Sequence, residues 1–141
     1  MGQIAGRLGV AKPTLYRLAR SRAELVQACI DAEAERLLDH LYAAFGRAGS
    51  PLHAALEALR RQREDSPGGV RLLFGGRHPE ARAAVRRVED RANDLIRRDA
   101  RARGEQPPGP ELAQAVLGAA AAVTLRALED GREPDASAVR L

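Results

Sequence analysis

The sequence predicts an all-α fold, and three observations carry that prediction. Among the apolar residues, 28 Ala and 18 Leu stand against eight Val and three Ile. Ala, Leu, Arg and Glu favour helix, whereas β-branched residues favour strands. Apolar residues recur at three- and four-residue spacing, as in Ala81, Val85, Val88, Ala92, Leu95 and Ile96, which is the repeat of one helix face. No alternation of apolar and polar residues persists for a strand's length. At 141 residues the chain suffices for one compact domain, or for a small module joined to a helical one.

The helix punctuation orders the elements. A first apolar segment, residues 3–8, is broken by Gly9. A second short helix is expected over residues 12–19, with Pro13 tolerated in its first turn. Ser21-Arg22-Ala23-Glu24 has the spacing of a capping box, in which hydroxyl and carboxylate each satisfy an orphan backbone N–H. It predicts a new long helix running to Phe45 and stopping in the Gly46–Gly49 region. Ser50-Pro51 reads as an N-cap followed by Pro at the first helical position. That helix is expected to end near Asp65, before Ser66-Pro67-Gly68-Gly69. A short apolar piece, residues 70–74, precedes Gly75-Gly76. Pro79 opens a long Arg-rich helix to about Arg103, closed by Gly104. A Pro-rich turn leads to the last long helix, residues 111–130, closed by Gly131. The natural division is residues 1–45, a head with its linker helix, and residues 46–141, a bundle.

Composition excludes several classes. The single Cys29 rules out an intrachain disulfide and a Cys-based zinc finger, and is expected to serve packing. No uncharged apolar run reaches the roughly 18 residues of a membrane span; the longest, residues 112–125, has 14. No signal-peptide apolar region opens the chain, so the expectation is a soluble cytoplasmic protein without a membrane partner. Net charge is +4, but residues 1–22 carry five cations and no acid. A basic head on a mixed-charge body is one pattern of a nucleic-acid reader.

The head meets the demands of a helix-turn-helix. Ala5 is small where the helices cross, Gly9 tolerates positive φ in the turn, and Ile4, Leu8, Val10, Leu15 and Leu18 wedge the helices together. At about 100° per residue, Ala11, Thr14, Leu15, Leu18 and Ala19 gather on one side of the second helix. Lys12, Pro13, Tyr16, Arg17 and Arg20 gather on the other. Such a cationic face suits a DNA major groove, with Lys12 and Arg17 placed for guanine edges or phosphates and Tyr16 for a phosphate. Arg22, at the start of the next helix, is placed to clamp the backbone. The same wheel also describes a short amphipathic helix with a solvated face.

The segment IAGRLGVAKPTLYRLARSRAELV resembles the DNA-binding signature of the TetR family of bacterial transcriptional regulators. The likeness rests on the Ile-Ala start, Leu8-Gly9-Val10, Lys12-Pro13-Thr14-Leu15-Tyr16, and residues 21–25. It implies an all-helical homodimer, a double-stranded DNA operator with two half-sites, and a pocket for a small-molecule effector. By position it implies DNA contacts from Lys12, Thr14, Tyr16, Arg17 and Arg22. Three features differ from the family pattern. Leu18-Ala19 replaces a His-aromatic pair, Arg20 stands at a usual Gly, and the helix that normally precedes the motif is missing before Met1. The expectation is therefore an N-terminally shortened head. Uncovering one of Ile4, Leu8 or Leu15 costs on the order of 1.5–3 kcal/mol.

In the body, Tyr42, Phe45, Leu56, Leu59, Leu72, Leu73 and Phe74 are candidates to line an effector cavity, or else are ordinary core. Residues 112–125, rich in small side chains, suit close helix approach. With the preceding long helix they read as a dimer face, with Val88, Leu95, Val116, Ala120 and Val123 as its candidates; the alternative is a single buried core helix. Catalytic patterns are missing: there is no HExxH, GxSxG or Walker loop. His40, His53 and His78 share no metal-ligand spacing and are expected at the surface or in caps. Asp31, Glu35 and Asp39 read as a solvated stripe supported by Arg36. No enzyme activity, metal or cofactor is expected. The sequence reads as a ligand-responsive dimeric repressor. The runner-up is a dimeric helical interaction protein that has lost DNA reading with its first helix.

Overall fold

The computed structural model describes residues 12–131, with side chains from residue 20 onward. Five helices follow in order: α1 (Lys12–Phe45), α2 (Pro51–Asp65), α3 (Gly69–Phe74), α4 (Glu80–Ala102) and α5 (Glu111–Asp130). No strand occurs among the described residues, so the all-α class holds. The segment 3–8 and the Gly9 turn lie outside the described residues.

Helix ends fall where the punctuation places them, with one exception. Ser50, in extended backbone, caps α2 by accepting the His53 N–H, and Pro51 occupies the first turn. Gly131 closes α5 in the left-handed conformation, φ 65°, where a residue with a Cβ is strained. The exception is α1, which runs without a break for 34 residues, roughly 50 Å at 1.5 Å per residue. The expected boundary between Ala19 and Ser21 does not form, and the capping box is not used. A capping box needs a chain that enters from extended backbone. Here Leu18, Ala19, Arg20, Arg22 and Ala23 are all strong helix formers. Neither Gly nor Pro interrupts them.

The bundle forms around the second half of α1. Ile30, Ala34, Leu37, Leu38, Leu41 and Ala44 are buried, at the three- and four-residue spacing of one face. Ile30, Ala34, Leu37, Leu38 and Leu41 meet Ala55, Leu56, Ala58 and Leu59 of α2, Val70 and Leu73 of α3, and Ala81, Ala84, Val88, Ala92 and Ile96 of α4 in one continuous core. α5 adds Ala113, Leu117, Ala120 and Ala121, packing against α2, α3 and α4. The core thus starts within α1, and residues 30–45 belong to the bundle rather than to a separate linker. Each fully buried Leu, Ile or Val contributes about 1.5–3 kcal/mol. By length and composition α5 is apolar enough to cross a membrane. It is nevertheless a bundle member with six buried positions, and buried Thr124 donates its hydroxyl to the Ala120 carbonyl at 2.8 Å.

Candidate functional site

The first turns of α1 carry the cationic segment. Lys12, Pro13, Thr14, Tyr16 and Arg17 lie on helical backbone, and their side chains fall outside the described residues. Residues 20–25 are all exposed, and the first fully buried side chain is Ile30. Residues 20–25 of α1 therefore stand clear of the bundle. Arg20 and Arg22 point into solvent from mid-helix, so Arg22 does not sit at a helix N-terminus as the capping-box reading required. Leu25 is 63% exposed, more than Tyr42 or Leu112. Cys29 is exposed rather than packed, because the inward face of α1 belongs to Ile30 and its three- and four-residue relatives.

The candidate cavity residues divide. Leu56, Leu59 and Leu73 are core, Phe45 and Phe74 pack against it in part, and Tyr42 is 45% exposed. Of the dimer candidates, Val88 and Ala120 are covered completely within the single chain. They have no surface left for a partner and hold α4 and α5 in the core instead. Leu95, Val116 and Val123 are half-buried. The outer face of α5 is formed by residues not singled out from sequence: Leu112, Ala115, Gly118, Ala119 and Ala122 are exposed, at the spacing of one helix face.

A polar clamp that the sequence pattern did not reveal joins α1 to the end of α2 and packs against the start of α3. Gln62, fully buried on α2, donates through Nε2 to the backbone carbonyl of Glu33 at 3.1 Å and to the Glu33 carboxylate. Ser66 donates to the other carboxylate oxygen at 2.7 Å. Arg36 lies 3.4 Å from that same oxygen, so Arg36 serves Glu33 and not the expected Asp31–Glu35–Asp39 stripe. Asp31 pairs instead with Arg87 of α4 at 2.9 Å and accepts from Gln27. Gly69, at the start of α3, fits against the Glu33 carboxylate, where a Cβ would overlap it. The one available signal was Gln62 itself, a polar residue in the apolar register of Ala55, Ala58 and Leu59.

The histidines are split among roles. His53 is part of the α2 cap, with Nδ1 2.9 Å from Ser50 Oγ. His40 is largely buried, with Nε2 3.0 Å from the Asp65 carboxylate at the end of α2, rather than sitting at the surface. Among the described residues no three His, Cys, Asp or Glu side chains gather as metal ligands would.

On α4, burial pushes the Glu89 carboxyl above its ordinary range; Arg86 opposes this and Asp90 reinforces it. A carboxyl raised on folding gives its greatest relative stability where both states are protonated, and loses it as pH rises through the folded value. Glu89→Gln is therefore expected to raise the thermal midpoint at neutral pH and to give no gain in acid, well below the carboxylate range. Thermal scans at the two pH values test this; equal gains at both would place the effect elsewhere.

A groove of about 530 Å³ opens between α3 and the end of α5, lined by Gly68, Arg71, Leu72, Gly75, Arg77, His78, Leu125 and Glu129. No protein-family model matches the sequence.

Proposed function

We propose that this chain is a DNA-binding transcriptional regulator of the TetR type, acting as a homodimer and repressing until a small molecule releases it. The observation that carries the reading is the 23-residue motif from Ile4 to Val26, whose part from Lys12 onward lies on α1 and whose residues 20–25 are exposed. A helix carrying Lys12, Pro13, Thr14, Tyr16, Arg17 and Arg20 has the cationic character that suits a major groove. In a dimer, two such helices must lie about 34–36 Å apart, or a multiple of that, to enter successive grooves. A ligand that prefers a tilted α1 spoils that spacing, to the extent of its differential affinity for the two states. Selection of duplexes from a random pool by the full chain, followed by titration of the winner across salt, tests the reading. A two-half-site sequence and a steep salt dependence are expected.

The dimer is supported by the uncovered small-residue face of α5. A Cβ placed on Gly118 meets nothing within 4 Å in the single chain. Gly118→Leu is therefore expected to leave the helix content intact, and even to favour α5 by up to about 1 kcal/mol of helix propensity, while converting dimer to monomer in sedimentation. A variant that stays dimeric would move the interface off this face.

The unbroken course of α1 through Ser21 favours a second reading, a dimeric helical interaction protein without DNA affinity. It predicts no enrichment of any duplex from the pool.

A further inference from the structure

We infer that the groove between α3 and α5 is a binding site for a small organic carboxylate with a short apolar tail. This inference stands apart from the DNA reading, and its test uses no DNA. The groove's volume of about 530 Å³ lies within the range of small-molecule sites. Its walls combine two chemistries. Leu72 and Leu125, each half-buried against the core, supply an apolar floor. Arg71 and Arg77 are exposed at its edge, and neither makes an ion pair among the described residues. Many other arginines of the bundle are committed, as Arg47 is to Glu57, Arg60 to Glu64, Arg87 to Asp31 and Arg103 to Asp99.

The backbone arranges the two free cations. Arg71 stands on the same side of α3 as its two caps, Gly68 and Gly75, at offsets of three and four, with Leu72 beside it in the groove wall. Gly76 turns the chain with φ 78°, a conformation that favours glycine, and so carries Arg77 back to the same groove. Guanidinium groups match the planar, two-oxygen geometry of a carboxylate. Glu129 on the opposite wall sets the charge of the occupant, because a second negative charge beside it is repelled. A monoanion therefore fits better than a dianionic phosphate.

Octanoate titrated into the full chain by calorimetry at low salt tests the assignment. Saturable one-to-one binding is expected, with amide shifts at Gly75, Gly76 and Arg77 in NMR spectra. The double variant Arg71→Gln, Arg77→Gln is expected to weaken it about tenfold or more, the loss of one or two charge-assisted hydrogen bonds. Both side chains are exposed, so unchanged circular dichroism is expected for that variant. Glu129→Gln should tighten octyl phosphate more than octanoate. Octanol binding as tightly as octanoate, or the double variant binding octanoate normally, would overturn the role of the arginines. Inorganic phosphate or octyl phosphate binding more tightly than octanoate would overturn the carboxylate assignment. No octanoate binding up to millimolar concentration would remove the site altogether.

Discussion

Glu33→Ala is expected to cost the fold about 2–4 kcal/mol, a large share of the 5–15 kcal/mol that holds a domain of this size. The carboxylate accepts from Gln62 and Ser66 and lies beside Arg36. Its removal strands one N–H of a fully buried amide, which costs about 1–3 kcal/mol, and it abolishes charge-assisted hydrogen bonds stronger than neutral ones. Ser66, half-exposed, recovers part of its loss by turning to water. The buried Oε1 of Gln62 has no partner among the described residues, so Gln62 already carries a desolvation cost. Replacing both members, Glu33→Met with Gln62→Leu, should therefore restore at least about 1 kcal/mol relative to Glu33→Ala, since removing a buried polar pair together can be nearly neutral. Urea unfolding followed by circular dichroism measures each variant and the coupling between them. Strict additivity would show that the two side chains do not act as a unit.

This clamp also marks where sequence reading runs out. Local signals were legible because their physics is local. Ser50-Pro51 supplies its own cap and fixed φ, and Gly131 supplies its own left-handed turn, so the ends of α2 and α5 follow from a few adjacent residues. The inward faces of α1 and α4 follow from spacing, since Ala81, Val88, Ala92 and Ile96 recur on one face. Glu33, in contrast, is polar in a mixed helix, and only the packing of α1 on α2 reveals that Gln62 waits 29 residues away. Cys29 illustrates the same limit, because its exposure depends on which face of α1 turns to the bundle. The Ser21 boundary failed for a different reason. A capping box competes with helix continuation, and the outcome turns on whether a breaker stands beside it. With Arg20 in that place, continuation wins. Of the candidate groove, Gly75-Gly76 was legible as a turn, but the convergence of Arg71 and Arg77 with Leu125 was not, for it joins elements about fifty residues apart in sequence.

If the chain binds DNA as proposed, Arg17→Ala is expected to reduce affinity for the selected duplex by about 2–6 kcal/mol, some thirtyfold or more. Loss of one arginine contact to a base or phosphate costs roughly 1–3 kcal/mol, and a two-fold symmetric dimer loses the contact in both half-sites. Lys12→Ala should act in the same direction. The salt slope separates the roles. If Arg17 holds a phosphate, the variant weakens all duplexes alike, and the slope of log affinity against log salt falls by about two for the dimer, near 0.9 for each contact. If it reads a guanine edge, the loss is confined to the selected sequence and discrimination at one position relaxes in each half-site. Arg17→Lys sharpens the distinction, since lysine keeps the charge but not the two-pronged donor geometry. It should preserve a phosphate contact and lose a base contact. Arg22→Ala, changing a side chain that points to solvent from mid-helix, is expected to have a smaller effect than either. Titrations by fluorescence anisotropy at several salt concentrations decide among these. Unchanged affinity in both Arg17→Ala and Lys12→Ala would leave the first turns of α1 without a role at DNA. The chain would then be read as a helical interaction protein whose cationic turn is merely solvated.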